Sequence, residues 1–154
     1  MAGSGDQLSI PVLARARILI VEARYHAHIN DMLLAGVRRM LERARVNRVE
    51  HVVVPGALEI PAAIALAPKS YDGFVAIGVV IRGETTHYDT VAYESSRGIT
   101  DLAVREQRLI GNGILTVENE QQAIVRADPA QMDKGGGAAL AALHLIALRD
   151  RFRG

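Results

Sequence analysis

Cysteine is absent from the 154 residues, and with it go disulfide frames, thiolate nucleophiles and cysteine-ligated zinc. Such a chain suits a reducing cytoplasm. Aromatic residues are four tyrosines and two phenylalanines, with no tryptophan, too few planar side chains for stacking-based recognition of single-stranded nucleic acid. Lysine occurs only at Lys69 and Lys134, so arginine carries nearly all the positive charge. Eighteen basic residues meet seventeen acidic ones, and no net field draws the chain towards nucleic acid or an acidic membrane surface. Long apolar runs are missing too: the longest, Ala138 to Leu148, is too short to span a bilayer and carries His144. The opening stretch, Met1 to Ser9, has no basic segment leading into an apolar one. It reads as disordered, neither a signal peptide nor an anchor.

What remains is enough chain for one domain, residues 1–154, with a proper core. Arg17 to Ala23 is a short β-branched run without alternation, as expected of a strand buried on both faces of a parallel sheet. From Ile29 to Ala44 apolar residues recur at steps of three and four, with arginines opposite, which predicts an amphipathic helix. Val49 to Val54 reads as a second buried strand, Glu59 to Ala67 as a short helix with Pro61 in its first turn, and Gly73 to Ile81 as a third strand. A long helix is predicted from His87 to Arg108. Leu109 to Thr116 is a fourth strand whose two glycines imply a close approach to its backbone. Glu118 to Arg126 follows as a helix, and Asp133 caps a last helix running to about Phe152 that is apolar nearly all round. Strand alternating with helix, under right-handed crossovers, gives an α/β fold: a flavodoxin-like three-layer α/β/α sandwich on a four-stranded parallel sheet.

Ligands collect at the carboxyl ends of the strands in such sheets. Here those ends are Arg24-Tyr25-His26, Pro55 to Glu59, Arg82 to His87 and the region after Thr116, so the polar and aromatic oddities of the chain fall on one rim. Arg82-Gly83-Glu84-Thr85-Thr86-His87 joins a strand to a helix start, where unpartnered N–H groups and two threonine hydroxyls suit a phosphate. His87 beside it can take and give a proton near neutral pH. The same residues also describe an ordinary capped turn with an exposed histidine. Tyr25 is either a core-edge aromatic or a ring that stacks on a flat heterocycle. Pro55 to Pro61 brackets small residues with prolines, leaving bare backbone at a strand end. Arg126 fits a helix C-terminus whatever else it does, and Gly135-Gly136-Gly137 serves either an anion or close packing. A dinucleotide site is disfavoured, because the first strand-to-helix turn has no glycine. His26 and His28, two apart, share no helix face and read as a solvated pair rather than metal ligands.

Four collinear segments carry a resemblance covering nearly the whole chain, from about Arg17 to Phe152: P-G-A-L-E-I-P (Pro55 to Pro61), V-I-R-G-E-T-T-H-Y-D (Val80 to Asp89), G-I-L-T-V-E-N-E-Q-Q-A (Gly113 to Ala123) and D-K-G-G (Asp133 to Gly136). Together they resemble the lumazine synthase family of riboflavin biosynthesis. The resemblance implies condensation of 5-amino-6-ribitylamino-2,4(1H,3H)-pyrimidinedione with 3,4-dihydroxy-2-butanone 4-phosphate, giving 6,7-dimethyl-8-ribityllumazine, phosphate and water, without metal or cofactor. By position it implies Tyr25 as the aromatic that stacks on the pyrimidine and Ala57, Leu58 and Glu59 as the segment holding the ribityl chain. Val80 and Ile81 would line the ring pocket. Glu84 and Thr85 match the phosphate turn, Arg126 its cationic partner, His87 the proton-transfer residue and Lys134 a further substrate contact. Family sites lie between adjacent subunits, with Arg126 and Lys134 coming from the neighbour of the chain that supplies His87. The resemblance also implies a cytoplasmic homo-oligomer, pentameric and in some members closed into larger shells, with riboflavin synthase as a candidate partner. Two departures stand out. Asn112 occupies a place where many members carry phenylalanine, making the neighbour's wall of the ring pocket more polar, and Asp133 one where many carry asparagine. The alternative reading is a catalytically weak homologue that binds flavin or lumazine, or forms a shell.

Overall fold

The computed structural model describes residues 8–154, so the expected disorder at the start of the chain falls mostly on residues outside those described. The elements run β1 (Arg17–Ala23), α1 (Ala27–Arg43), β2 (Arg48–Val54), α2 (Glu59–Leu66), β3 (Gly73–Ile81), α3 (His87–Arg105), β4 (Ile110–Val117), α4 (Glu120–Ala127) and α5 (Lys134–Arg153). All strand pairings are parallel, in the order β2-β1-β3-β4. Helices α1, α4 and α5 cover one face, over a core that includes Ile18, Ile20, Leu33, Leu143 and Ile146. On the other face α2 and α3 close over Leu19, Val21, Ile60, Phe74 and Ile99. This is the expected three-layer sandwich.

Strands β1 and β3 lie in the middle, and their β-branched runs are buried as the sequence implies. The expectation for β2 was wrong. It is an edge strand, and Val52 and Val53 are exposed; a run of valines promises a strand but says nothing of its rank in the sheet. Helix α3 ends at Arg105, short of the predicted Arg108, because Gln107 takes a left-handed φ of 54° that no helix continues. Arg108 instead turns inward, donating to the Ala67 carbonyl at 3.0 Å and lying 5.4 Å from the Phe74 ring centroid.

The glycines of β4 do mark a close approach, and what approaches is α5. A Cβ added at Gly111 would sit 1.8 Å from the Ala138 carbonyl oxygen. At the start of α5, Gly135 is pressed so tightly on Leu33 of α1 that a Cβ would lie 2.2 Å from its carbonyl oxygen, whereas Gly137 faces open space. Close packing therefore accounts for the first of the three glycines. Asp133 caps α5 as expected, accepting from the Gly136 N–H at 3.2 Å. Leu145, Leu148 and Phe152 on the same helix remain exposed. Among the described residues no helix is long and apolar enough to cross a membrane.

Candidate active site

The rim cavity arises from a mismatch in strand length. β1 ends at Ala23 and β2 at Val54, paired to each other, whereas β3 runs on beside β4 to Ile81. Its last two residues, Val80 and Ile81, leave the core and are only half-buried. They form one wall of a cavity of about 460 Å³, within the range that takes a small organic ligand. Ala57, Leu58 and Glu59 also line it. Their turn is fixed by the carbonyls of Gly56 and Ala57, which accept from the N–H groups of Glu59 and Ile60 at 3.1 and 3.2 Å as α2 begins.

Tyr25 closes the cavity on the side of the β1–α1 turn. Its side chain is 80% exposed, which settles one of the two sequence readings: it is no core-edge aromatic. Its ring meets His26 edge-on, with centroids 5.0 Å apart, so a face is left for a planar guest. His26 is half-buried and lines the same cavity, while His28 is exposed to solvent and bonds Glu120 at 2.8 Å, so the solvated reading fits His28 and only in part His26. His87, the first residue of α3, lines the cavity as well.

Glu84 and Thr85 stand exposed on the turn between Ile81 and His87, at the lip rather than in the lining. Thr85 Oγ1 accepts from the His87 N–H at 3.3 Å, but Thr86, at the N-cap position, makes no side-chain cap bond. Only one of the two threonines thus does the capping that the sequence suggested. The turn is braced by Arg82, whose Nε donates to Glu118 at 2.9 and 3.1 Å and whose guanidinium lies 4.4 Å from the Tyr88 ring centroid. The bond to Glu118 and its charge hold the Arg82 pKa above the ordinary arginine value against partial burial. Arg82, itself exposed, thus stands between Glu118 just after β4 and Asp89 of α3, whose Oδ1 lies 3.5 Å from its Nη1. Sequence reading missed that role, for which a glutamate just after β4 was the one available hint.

Asn112, Arg126 and Lys134 do not line this cavity. Asn112 lies on the edge strand β4, where its Oδ1 accepts from the Ile114 N–H at 3.0 Å. Arg126 is half-buried on α4 and donates to the Gln122 carbonyl at 3.1 Å. Lys134 opens α5 and is exposed.

Comparison with known proteins bears directly on this arrangement. Residues 15–150 match the 6,7-dimethyl-8-ribityllumazine synthase family. The chain belongs to that family. Among its relatives, the 6,7-dimethyl-8-ribityllumazine synthase of Novosphingobium aromaticivorans is 63% identical over 139 residues, spanning 89% of this chain and 99% of the relative. That of Zymomonas mobilis is 56% identical, covering 88% and 98%. The Bartonella henselae enzyme of the same name is 50% identical, covering 94% and 96%. Members of the family are thus matched nearly end to end, through the rim turns as well as the core.

Proposed function

We propose that the protein condenses 5-amino-6-ribitylamino-2,4(1H,3H)-pyrimidinedione with 3,4-dihydroxy-2-butanone 4-phosphate to 6,7-dimethyl-8-ribityllumazine. The observation that carries this reading is the rim cavity itself, in which Tyr25, Ala57, Leu58, Glu59, Val80, Ile81 and His87 converge from three separate turns. Tyr25 takes one face of the pyrimidine, Val80 and Ile81 pack on the ring, and the Ala57 to Glu59 turn holds the hydroxyls of the ribityl chain. The phosphate sits at the start of α3 with Glu84 and Thr85, where unpartnered N–H groups favour an anion.

The amine of the pyrimidinedione attacks the ketone, a C–N bond forms, and loss of water gives an imine. Loss of a proton from the hydroxyl-bearing carbon breaks the C–O bond to phosphate, the resulting enol becomes a methyl ketone, and attack on that carbonyl by the ribityl-bearing nitrogen, with loss of a second water, closes the ring. Each step moves a proton. His87 is the exchanger, and a positioned imidazole typically contributes a factor of about 10² to 10⁴. Holding two reactants in register supplies much of the remaining acceleration.

The cationic partner of the phosphate is Arg126, and Lys134 and Asn112 complete the pocket, all three from an adjacent chain. With the family resemblance, this reading makes the working protein a cytoplasmic ring of five identical single-domain chains, with further assembly into shells and contact with riboflavin synthase as extensions of it. What supports the shared site is that one chain's cavity lacks any of the three, while α5 leaves Leu145, Leu148 and Phe152 exposed for a partner surface. Purified protein mixed with both substrates should develop lumazine fluorescence well above the spontaneous rate. Fluorescence at the spontaneous rate, with both substrates bound, would favour the non-catalytic binding homologue instead.

A further inference from the structure

A buried glutamate inside the sheet takes no part in the proposed chemistry. Glu22, near the end of β1, is fully buried, on the face where Ile18 and Ile20 pack under α1. Its Oε2 accepts from Arg24 Nη1 at 2.8 Å and from Asn30 Nδ2 at 2.9 Å, and its Oε1 lies 2.8 Å from His51 Nε2. Asn30, also fully buried, donates to the Ala23 carbonyl at 3.0 Å as well. The second amino group of Arg24 pairs with Asp31, in the second turn of α1. One guanidinium therefore bridges the strand and the helix, spanning the turn on which Tyr25 and His26 stand. The Asn30 N–H, bonded to the His26 carbonyl at 2.8 Å, closes the turn from the far side.

We propose that Glu22, Asn30 and Arg24 are positioning residues for substrate: they fix the β1–α1 turn so that the exposed Tyr25 ring stands ready at the cavity. The proposal rests on the reading of Tyr25 as the ring-binding wall. Stability alone is a poor reason for this cluster. Buried ion groups stabilise no better than apolar side chains of similar volume, and an isoleucine at position 22 would simply continue the face begun by Ile18 and Ile20. A nearly bare aromatic on a short turn, by contrast, loses affinity to every conformation in which it faces elsewhere, and bracing the turn removes that loss before substrate arrives.

Steady-state kinetics on the full-length protein test this. Arg24→Met keeps the apolar stem, removes the fork and leaves Glu22 bonded to Asn30 and His51. It should raise KM for the pyrimidinedione about 3- to 10-fold, with kcat and KM for the butanone phosphate within about twofold of the parent. Arg24→Lys, which can reach only one of the two acids, should fall between. In the Tyr25→Leu background Arg24→Met should add nothing, since no ring is left to position. Asp31→Asn, which loosens only the exposed arm, should raise the same KM about 2- to 3-fold and serves if Arg24→Met folds poorly. Independent, multiplying effects of Arg24→Met and Tyr25→Leu would overturn the positioning role, as would a fall in kcat with unchanged KM. An unchanged KM in Tyr25→Leu alone would remove Tyr25 from the site, and the proposal with it.

Discussion

The candidate site falls into two parts that the chain treats differently. The part carried by the ends of β1, β2 and β3 is assembled within one chain: Tyr25, the Ala57 to Glu59 turn, Val80, Ile81 and His87 all face one cavity. The part carried by β4, α4 and α5 is not. Asn112 bonds its own strand, Arg126 its own helix, and Lys134 stands in the open. In the first part the geometry follows from the sheet, since parallel strands deliver their loops to one end. Residues of the second part have no such reason to meet the cavity of their own chain; in the proposed ring a neighbour would supply one. A head-to-tail ring contact would make each chain's two parts serve two different sites.

The largest effect that separates the parts is expected at His87. His87→Ala should lower kcat by roughly 10 to 10⁴, with substrate binding largely kept, because a proton exchanger acts on the rate rather than on affinity. The spontaneous condensation sets the floor. An unchanged kcat would take His87 out of the chemistry and leave it an ordinary exposed residue at a helix start.

Arg126→Ala comes next, and it probes the other part. Loss of a charge-assisted contact should weaken butanone phosphate by about 1.5 to 3 kcal/mol, with the pyrimidinedione affected less. Inorganic phosphate should compete in the parent and much less in the variant. Equal loss for both substrates would assign Arg126 a structural role on α4.

Tyr25→Leu should cost about 0.5 to 1.5 kcal/mol in affinity for the pyrimidinedione and little stability, because the ring is exposed and supports no core. Differential scanning calorimetry beside a binding titration separates the two. A large fall in Tm with normal affinity would show the ring packing rather than binding. The smallest expected effect is none: a chelator should leave turnover unchanged, as the motifs supply proton-transfer and phosphate-binding groups without metal-ligand spacing. Activity lost to the chelator and restored by zinc or magnesium would add a metal to the mechanism.

Much of this was legible in the sequence, unevenly and for physical reasons. The central strands β1 and β3 and the amphipathic α1 announce themselves because burial on both faces, or on one helix stripe, leaves its period in the chain. The rank of β2 did not show, since Val52 and Val53 look the same on an edge as in the middle. The close approach at Gly111 was visible, but not that α5 makes it. Tyr25 illustrates the limit at the site: the predicted end of β1 at Ala23 already put it on the rim, but whether its ring packs at the core edge or stands free shows only in its exposure. Arg82 with Glu118, and Glu22 with Asn30, were invisible as pairs, because residues far apart in sequence, or on strand and helix, disclose a shared hydrogen bond only once the topology is known.

The shared site is the claim on which the two-part account depends, and co-assembly tests it most directly. A His87→Ala chain and an Arg126→Ala chain, unfolded or dissociated together and reassembled in equal amounts, should regain activity. With random mixing roughly a quarter of contacts pair an intact His87 face with an intact Arg126 face. Neither variant alone has any such contact. Mass spectrometry should show mixed rings, with turnover per chain approaching a quarter of the parent's. Mixed rings whose turnover stays at the average of the two variants would contradict the account, and would place Arg126 in the same site as the His87 of its own chain.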